Sequence, residues 1–260
     1  MNQQSRDLPR RLFAELLGSA FLAAVVIGSG IAAQQLSPGD IGLELFENAA
    51  ATAAGLFTII LMFGPVSGGH FNPVVSLVDA SFGGLSWRDA LAYIPAQITG
   101  CILGAMAANA MFAEALVSIS AKHRASPAHF FSEIIATLGL LLVIFSIART
   151  KRDAAAPDAV GAYIGAAYFF TSSTSFANPA ISIGRMFSNT FAGPLGTGKA
   201  KPAAVPAELR ARAGRTRPQS FCFSMATHRA PQLRNHVVRD AVTARGAPGL
   251  RHRQLPRRGV

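Results

Sequence analysis

Ser67-Gly68-Gly69-His70-Phe71-Asn72-Pro73-Val74-Val75 returns about a hundred residues later as Ser175-Phe176-Ala177-Asn178-Pro179-Ala180-Ile181. In each copy an Asn stands directly before a Pro, and about ten apolar or small residues follow, ending at Gly83-Gly84 in the first and at Gly193 in the second. Asn is among the best N-cap residues because its side-chain oxygen accepts an orphan backbone N–H, and Pro suits the first helical position, where its missing N–H is not needed. Two short helices are predicted. Ten residues rise about 15 Å, half of a hydrocarbon core about 30 Å thick, so neither helix crosses a membrane alone.

Outward from the two motifs the chain is apolar in longer runs. Residues 12–33 are nearly free of charge apart from Glu15, and are long enough to span as a first helix, not a removed leader. An acidic loop with Asp40, Glu44 and Glu47 precedes a second apolar run, residues 49–63, which leads into the first motif. Ser86 reads as the cap of a third helix ending near Phe112, with Trp87 suited to headgroup level. A fourth helix is expected over residues 129–148 with Glu133 in its first turn, and a fifth over 159–170 before the second motif.

Charge divides the chain in two. Half of its residues are hydrophobic, yet its formal charge is +11, a pairing foreign to ordinary soluble domains. Residues 1–192 hold ten Lys+Arg against eleven Asp+Glu, while residues 193–260 hold fourteen against two. With the N-terminus cytoplasmic, seven basic residues (Arg6, Arg10, Arg11, Arg88, Arg149, Lys151, Arg152) fall on inner segments and two (Lys122, Arg124) on outer loops. This is the positive-inside pattern.

The order helix, helix, half-helix, helix occurs once and begins again after an odd number of crossings, so the repeats are inverted. Inverted repeats set two discontinuous helices on opposite sides with their N-termini meeting near the bilayer midplane. Irregular backbone at that depth is tolerable only along a water-filled path. The positive ends of the two half-helices repel cations there, while the Asn72 and Asn178 amides offer donors to a neutral solute. The expected fold is an all-α integral membrane protein, an inverted-repeat bundle of five spanning helices and two re-entrant half-helices over residues 10–192.

These motifs within inverted helical halves resemble the aquaporin, or major intrinsic protein, family, over about residues 10–192. The resemblance implies that Asn72-Pro73-Val74 and Asn178-Pro179-Ala180 form a central constriction; Val74 stands where the family usually has Ala. It implies that Glu15 and Glu133 hold backbone N–H groups of the loops, against the alternative of helix-end charges snorkelling to the interface. By family spacing an outer selectivity constriction falls at Thr52, Ala166, Ser175 and Ile181. Ile181 replaces the Arg of water channels, Arg185 lies one turn later, and none of the four is a bulky aromatic or His. That constriction should be wider and less polar than a water channel's. The Arg185-Met186-Phe187-Ser188 run is similar to that of bacterial aquaglyceroporins linked to arsenite. Implied cargo is small and uncharged: glycerol-like polyols, arsenous acid and water, carried across the inner (plasma) membrane by a homotetramer.

His70 reads either as a staple of its loop or as a titrating gate, and Arg185 as reaching back to the constriction or out to interfacial water. No cofactor or metal is expected, since Cys101 and Cys222 form no framework and the six His residues lack ligand spacing, which also argues against an enzyme. After Gly193 no apolar run suits a sixth helix. Residues 193–260, rich in Arg, Pro, Ala and Gly, read as a disordered basic tail whose abrupt start suggests a shifted reading frame. On that reading the lead-in to Asn178 would lie open to lipid. Two alternatives follow: a non-functional truncated channel, and a membrane anchor whose tail binds nucleic acid or anionic lipid. Without aromatic interleaving or a folding motif in the tail, nucleic acid is not the expected partner.

Overall fold

The computed structural model describes residues 7–121 and 126–190. Its elements are α1 (Leu8–Leu36), α2 (Ile41–Ser67), α3 (Pro73–Ser81), α4 (Trp87–Met111), α5 (Pro127–Arg149), a 3₁₀ turn (Asp153–Ala155), α6 (Ala156–Phe170) and α7 (Pro179–Arg185). Every one is helical. Four of them, α1, α2, α4 and α5, are long and apolar enough to cross a membrane. The expected fifth span is shorter: α6 has 15 residues, a rise of about 22 Å, and the 3₁₀ turn precedes it.

The acidic residues expected in a loop belong to α2. Asp40 caps it by accepting from Leu43 N at 3.0 Å, so the helix begins at Ile41 and carries Glu44 and Glu47 in its opening turns. Those carboxylates then close the α1–α2 corner, accepting from Gly39 N and from Ser37 Oγ. At its other end α2 stops at Gly68, whose φ of 94° suits a residue without Cβ. Ser86 caps α4 through Asp89 N at 3.1 Å, as its sequence predicts.

Close packing of the first half depends on small residues. Gly100 and Gly104 of α4 lie against the carbonyls of Leu16 and Ala20 on α1, leaving no room for a Cβ. With lipid outside, van der Waals packing of this kind drives helix association. Across the interface Arg11 binds Asp89 at 2.9 Å, and Asn48 of α2 donates to Val26 O at 2.9 Å. The resulting core runs from Leu22 and Val26 through Leu56 and Phe71 to Ile164 and Ile181. The second half-helix is seven residues long, and Gly193, the basic tail and residues 122–125 lie outside the described residues.

Candidate solute pathway

The two half-helices meet through their caps. Asn72 Oδ1 accepts from Val74 N at 3.0 Å, and Asn178 Oδ1 accepts from Ala180 N at 3.0 Å and Ile181 N at 3.4 Å. Each side-chain amide then donates to the carbonyl just before the other Asn: Asn72 Nδ2 to Ala177 O and Asn178 Nδ2 to Phe71 O, both at 2.7 Å. An amide carries two N–H donors, so each Asn has a second beyond this crossed pair. Aligned half-helices put partial positive charge at this junction.

The carbonyls are presented by unusual backbone. Phe71 and Ala177 have φ of 46° and 45°, left-handed values that cost an L-residue about 1–2 kcal/mol. Two carboxylates hold them there. Glu15 accepts from His70 N at 3.0 Å and Phe71 N at 2.7 Å, while Glu133 accepts from Phe176 N at 3.1 Å and Ala177 N at 2.7 Å. Neither side chain snorkels. Glu15 is fully buried and also takes Ser67 Oγ and Gln97 Nε2.

The lead-in to Asn178, expected to lie open to lipid, is instead largely buried among the described residues. Ser172 N donates to Ser132 Oγ, Thr174 N to Thr171 O, and Phe176 N and Ala177 N to Glu133. These four backbone donors of an irregular segment are met from within the protein, as its depth requires.

A cavity of about 160 Å³ passes the junction, lined by Asn72, Asn178, Thr52, Ser175, Ile181 and His70 among others. Most of its wall is apolar, from Leu22, Val26, Leu56, Val75, Val160 and Ile164. Val74, Pro73, Pro179 and Ala180 stand apart from it. Val74 and Pro179 border a second groove together with Glu133, so the Val-for-Ala exchange adds no bulk to the pathway. His70 bonds a side chain, with Nδ1 3.1 Å from Ser76 Oγ, and its Nε2 lies 3.7 Å from Asp79 Oδ2.

Ala166 requires a correction. It is exposed, and the α6 face that lines the cavity is Val160, Ile164 and Tyr168 at spacings of four. Two residues along a helix turn about 200°, which carries Ala166 to the opposite side. Tyr168, ten residues before Asn178 where the family spacing counts twelve, stands in the wall with its hydroxyl 3.0 Å from Thr52 Oγ1. Phe176 lines the same cavity, and the Arg185 guanidinium sits 5.1 Å from its ring centroid. Of the four expected constriction residues, Thr52, Ser175 and Ile181 line the cavity and Ala166 does not, and the wall there carries the aromatic Tyr168 and Phe176 as well. Arg185 reaches back toward the pathway but touches it through Phe176. The i, i+4, i+8 set on α6 is readable from sequence, as is Gln97, a polar residue inside an apolar helix, but a count from the motifs finds neither.

Half-helices capped by Asn and joined head to head beside a cavity, within apolar helices of spanning length, define a membrane channel. The chain belongs to the major intrinsic protein family, a family of membrane channels, whose model matches residues 2–192. It is a multi-pass membrane protein. It is 48% identical over 190 residues to aquaglyceroporin AqpS of Rhizobium meliloti (strain 1021), covering 73% of this chain and 81% of that relative. To aquaporin-10 of Milnesium tardigradum it is 41% identical over 111 residues, 42% of this chain and 26% of the relative. The solved aquaglyceroporin of Plasmodium falciparum shares the fold, with a TM-score of 0.55 at 22% identity over 68% of this chain and 79% of that one.

Proposed function

We propose that the chain conducts small uncharged, hydroxyl-bearing solutes passively: glycerol-like polyols, undissociated arsenous acid and water. The crossed Asn72–Asn178 pair carries this reading, because it leaves amide donors at a junction where two helix dipoles oppose cations. Ile181, apolar and buried against the cavity, adds no cation there. Likeness to proteins called aquaglyceroporins supports the solute class. The loop charges support a cytoplasmic N-terminus, and membership of the family supports a multi-pass place in the lipid bilayer. An inner (plasma) membrane site and a homotetramer belong to the proposal as what the family resemblance implies.

Swelling of proteoliposomes in glycerol and arsenous acid tests it, with empty vesicles as reference. Swelling with water alone would refute the polyol pathway. Ile181→Arg sharpens the test, because a buried guanidinium narrows the wall beside Ser175 and Tyr168. Glycerol flux is expected to fall about tenfold relative to water, the equivalent of about 1.4 kcal/mol in the barrier.

A second reading, a non-conducting chain, is favoured by one observation. The groove bordered by Phe130, Glu133, Ile134, Leu138 and Pro179 is open among the described residues, and α5 buries only Ala136 and Leu140. Absence of flux for every solute from correctly folded protein would establish it.

A further inference from the structure

The junction of the half-helices carries a field of one sign. Amide donors from Asn72 and Asn178 meet the positive end of α3 there, and the Arg185 guanidinium stands behind the wall at Phe176. Such a place turns cations away, and by the same field it draws small anions in. A pathway that carries only neutral solutes therefore needs a negative charge elsewhere along its length.

Asp79 is the only acidic side chain in the cavity wall among the described residues. Asn72, Val75 and Asp79 all line that wall, and their spacing of three and four sets them on one face of α3 and its cap. Seven residues of helix rise about 10 Å, so the carboxylate stands about that far from the junction. It lies toward the end of the bundle where Leu8 packs against the cluster of Ala80 and Tyr93. Phe145 and Ala156 line the cavity as well, and Phe82, at the C-cap of α3, meets the Phe145 ring at 5.2 Å between centroids.

The charge of Asp79 is left facing the cavity. Glu15, Glu44, Asp89 and Glu133 each accept a hydrogen bond at 3.1 Å or less, whereas the nearest partner of Asp79 among the described residues is His70 Nε2 at 3.7 Å, beyond hydrogen-bond reach. His70 is held by other groups, with Nδ1 3.1 Å from Ser76 Oγ and its ring edge on to Tyr93. Arg11, the cation of α1 at this end, is bound to Asp89. The last turn of a helix is also an unfavourable place for an acid, because it carries the negative end of the dipole. Yet the fold makes room for it. The carboxylate lies over Gly84, where a Cβ would collide with Oδ1.

We infer that Asp79 is the anion-excluding residue of the pathway: its carboxylate, about two turns of α3 from the junction, repels anions while neutral solutes pass it. The inference rests on the channel reading and adds the residue that keeps conjugate anions out. A weak acid would then cross undissociated and not as its anion. Low-dielectric walls focus such a field, and charges inside them are screened less than charges in open solvent. Carboxylate and junction lie in series, so the barrier holds for flux in either direction.

The test uses the full chain in proteoliposomes with Asp79→Asn, which keeps the shape and removes the charge. Nitrate is the probe, a small planar anion with no neutral form at neutral pH, driven as its potassium salt with valinomycin. The nitrate-to-glycerol permeability ratio is expected to rise about tenfold, the lower end of what focused fields do to local ion concentrations. The control is Asp7→Asn, at the same end of the bundle, exposed and making no side-chain cap bond. It should leave the ratio unchanged. An unchanged ratio for Asp79→Asn, or an equal rise for Asp7→Asn, overturns the inference. A second measurement needs no flux. Ala156 lines the cavity and Cys101 is buried, so Ala156→Cys in a Cys222→Ala background reports the local field in detergent. Its reaction rate with sulfonatoethyl methanethiosulfonate, relative to the neutral methyl reagent, should rise about tenfold when Asp79→Asn is added. A relative rate that Asp79→Asn does not move overturns the inference, as does an Ala156→Cys variant that reacts with neither reagent. Absent flux with this charge-dependent reactivity refutes conduction and keeps the field of Asp79. Glycerol flux with both ratios unmoved refutes the role of Asp79 and keeps conduction.

Discussion

Glu15 and Glu133 perform one task in two settings. Each holds two consecutive loop N–H groups, and each holds the residue before an Asn at a φ within a degree of the other's. Their surroundings differ. Glu15 lies between α1 and α4 with Ser67 and Gln97 as further donors, and Tyr93 of α4 donates to Ser67 O at 2.9 Å. Glu133, half-buried, borders a groove, and among the described residues it receives no bond from a helix placed as α4 is. The geometry of a half-helix entry therefore needs only the carboxylate, the Asn cap and the Pro. Rigidity around that entry comes from the neighbouring helix.

The largest expected effect follows from counting orphaned donors. Glu15→Ala would leave His70 N, Phe71 N and part of the Gln97 amide unpaired in a fully buried site, at about 1–3 kcal/mol each, and Ser67 Oγ with only its 3.5 Å bond to Phe63 O. In a chain of this size about 1 kcal/mol moves the melting midpoint by 2–4 °C, so an apparent midpoint about 10 °C lower, or no folded protein, is expected in detergent. Glu133→Ala frees two donors beside an open groove and should cost about half as much. Equal losses would break the comparison.

Filling the groove should bring the halves together. Grafting an apolar helix of about twenty residues after residue 192, with small residues toward Ile134 and Leu138 and a Gln toward Glu133, copies what Gly100, Gly104 and Gln97 do on α1. Higher accumulation and a higher melting midpoint are expected, with flux rising alongside. The gain should vanish when Glu133→Ala is combined with the graft, since the added Gln then has no acceptor. A gain insensitive to Glu133 would mean that the graft acts by hydrophobic cover alone.

Much of this was legible in the sequence, and the exceptions share a cause. The caps at Asn72, Ser86 and Asn178 were readable because capping is decided within four residues. Glu44 and Glu47 look like loop if apolar content sets the boundary, whereas a single cap at Asp40 starts the helix earlier, at Ile41. A residue count back from the motif points to Ala166 because it ignores how the irregular stretch 171–177 turns the chain before α7. The rotation of α6 is fixed by its own four-residue stripe and by the Thr52–Tyr168 bond, which is a tertiary fact.

The smallest expected effect concerns Val74, the first half-helix's departure from the usual motif. Its backbone N–H is bound to Asn72 Oδ1, and its side chain is half-buried beside Glu133 and Pro179, away from the cavity that Val75 lines. Val74→Ala should thus leave glycerol and water permeabilities unchanged. It removes two methyl groups from a site already partly open, so a stability loss below about 1.5 kcal/mol is expected, the lower end for such truncations. The same substitution at Val75 removes wall from the cavity and should widen it. If Val74→Ala raises flux and Val75→Ala does not, α3 is rotated by about one residue, with Val74 and not Val75 on the cavity, and the equivalence of the two half-helix entries fails with it.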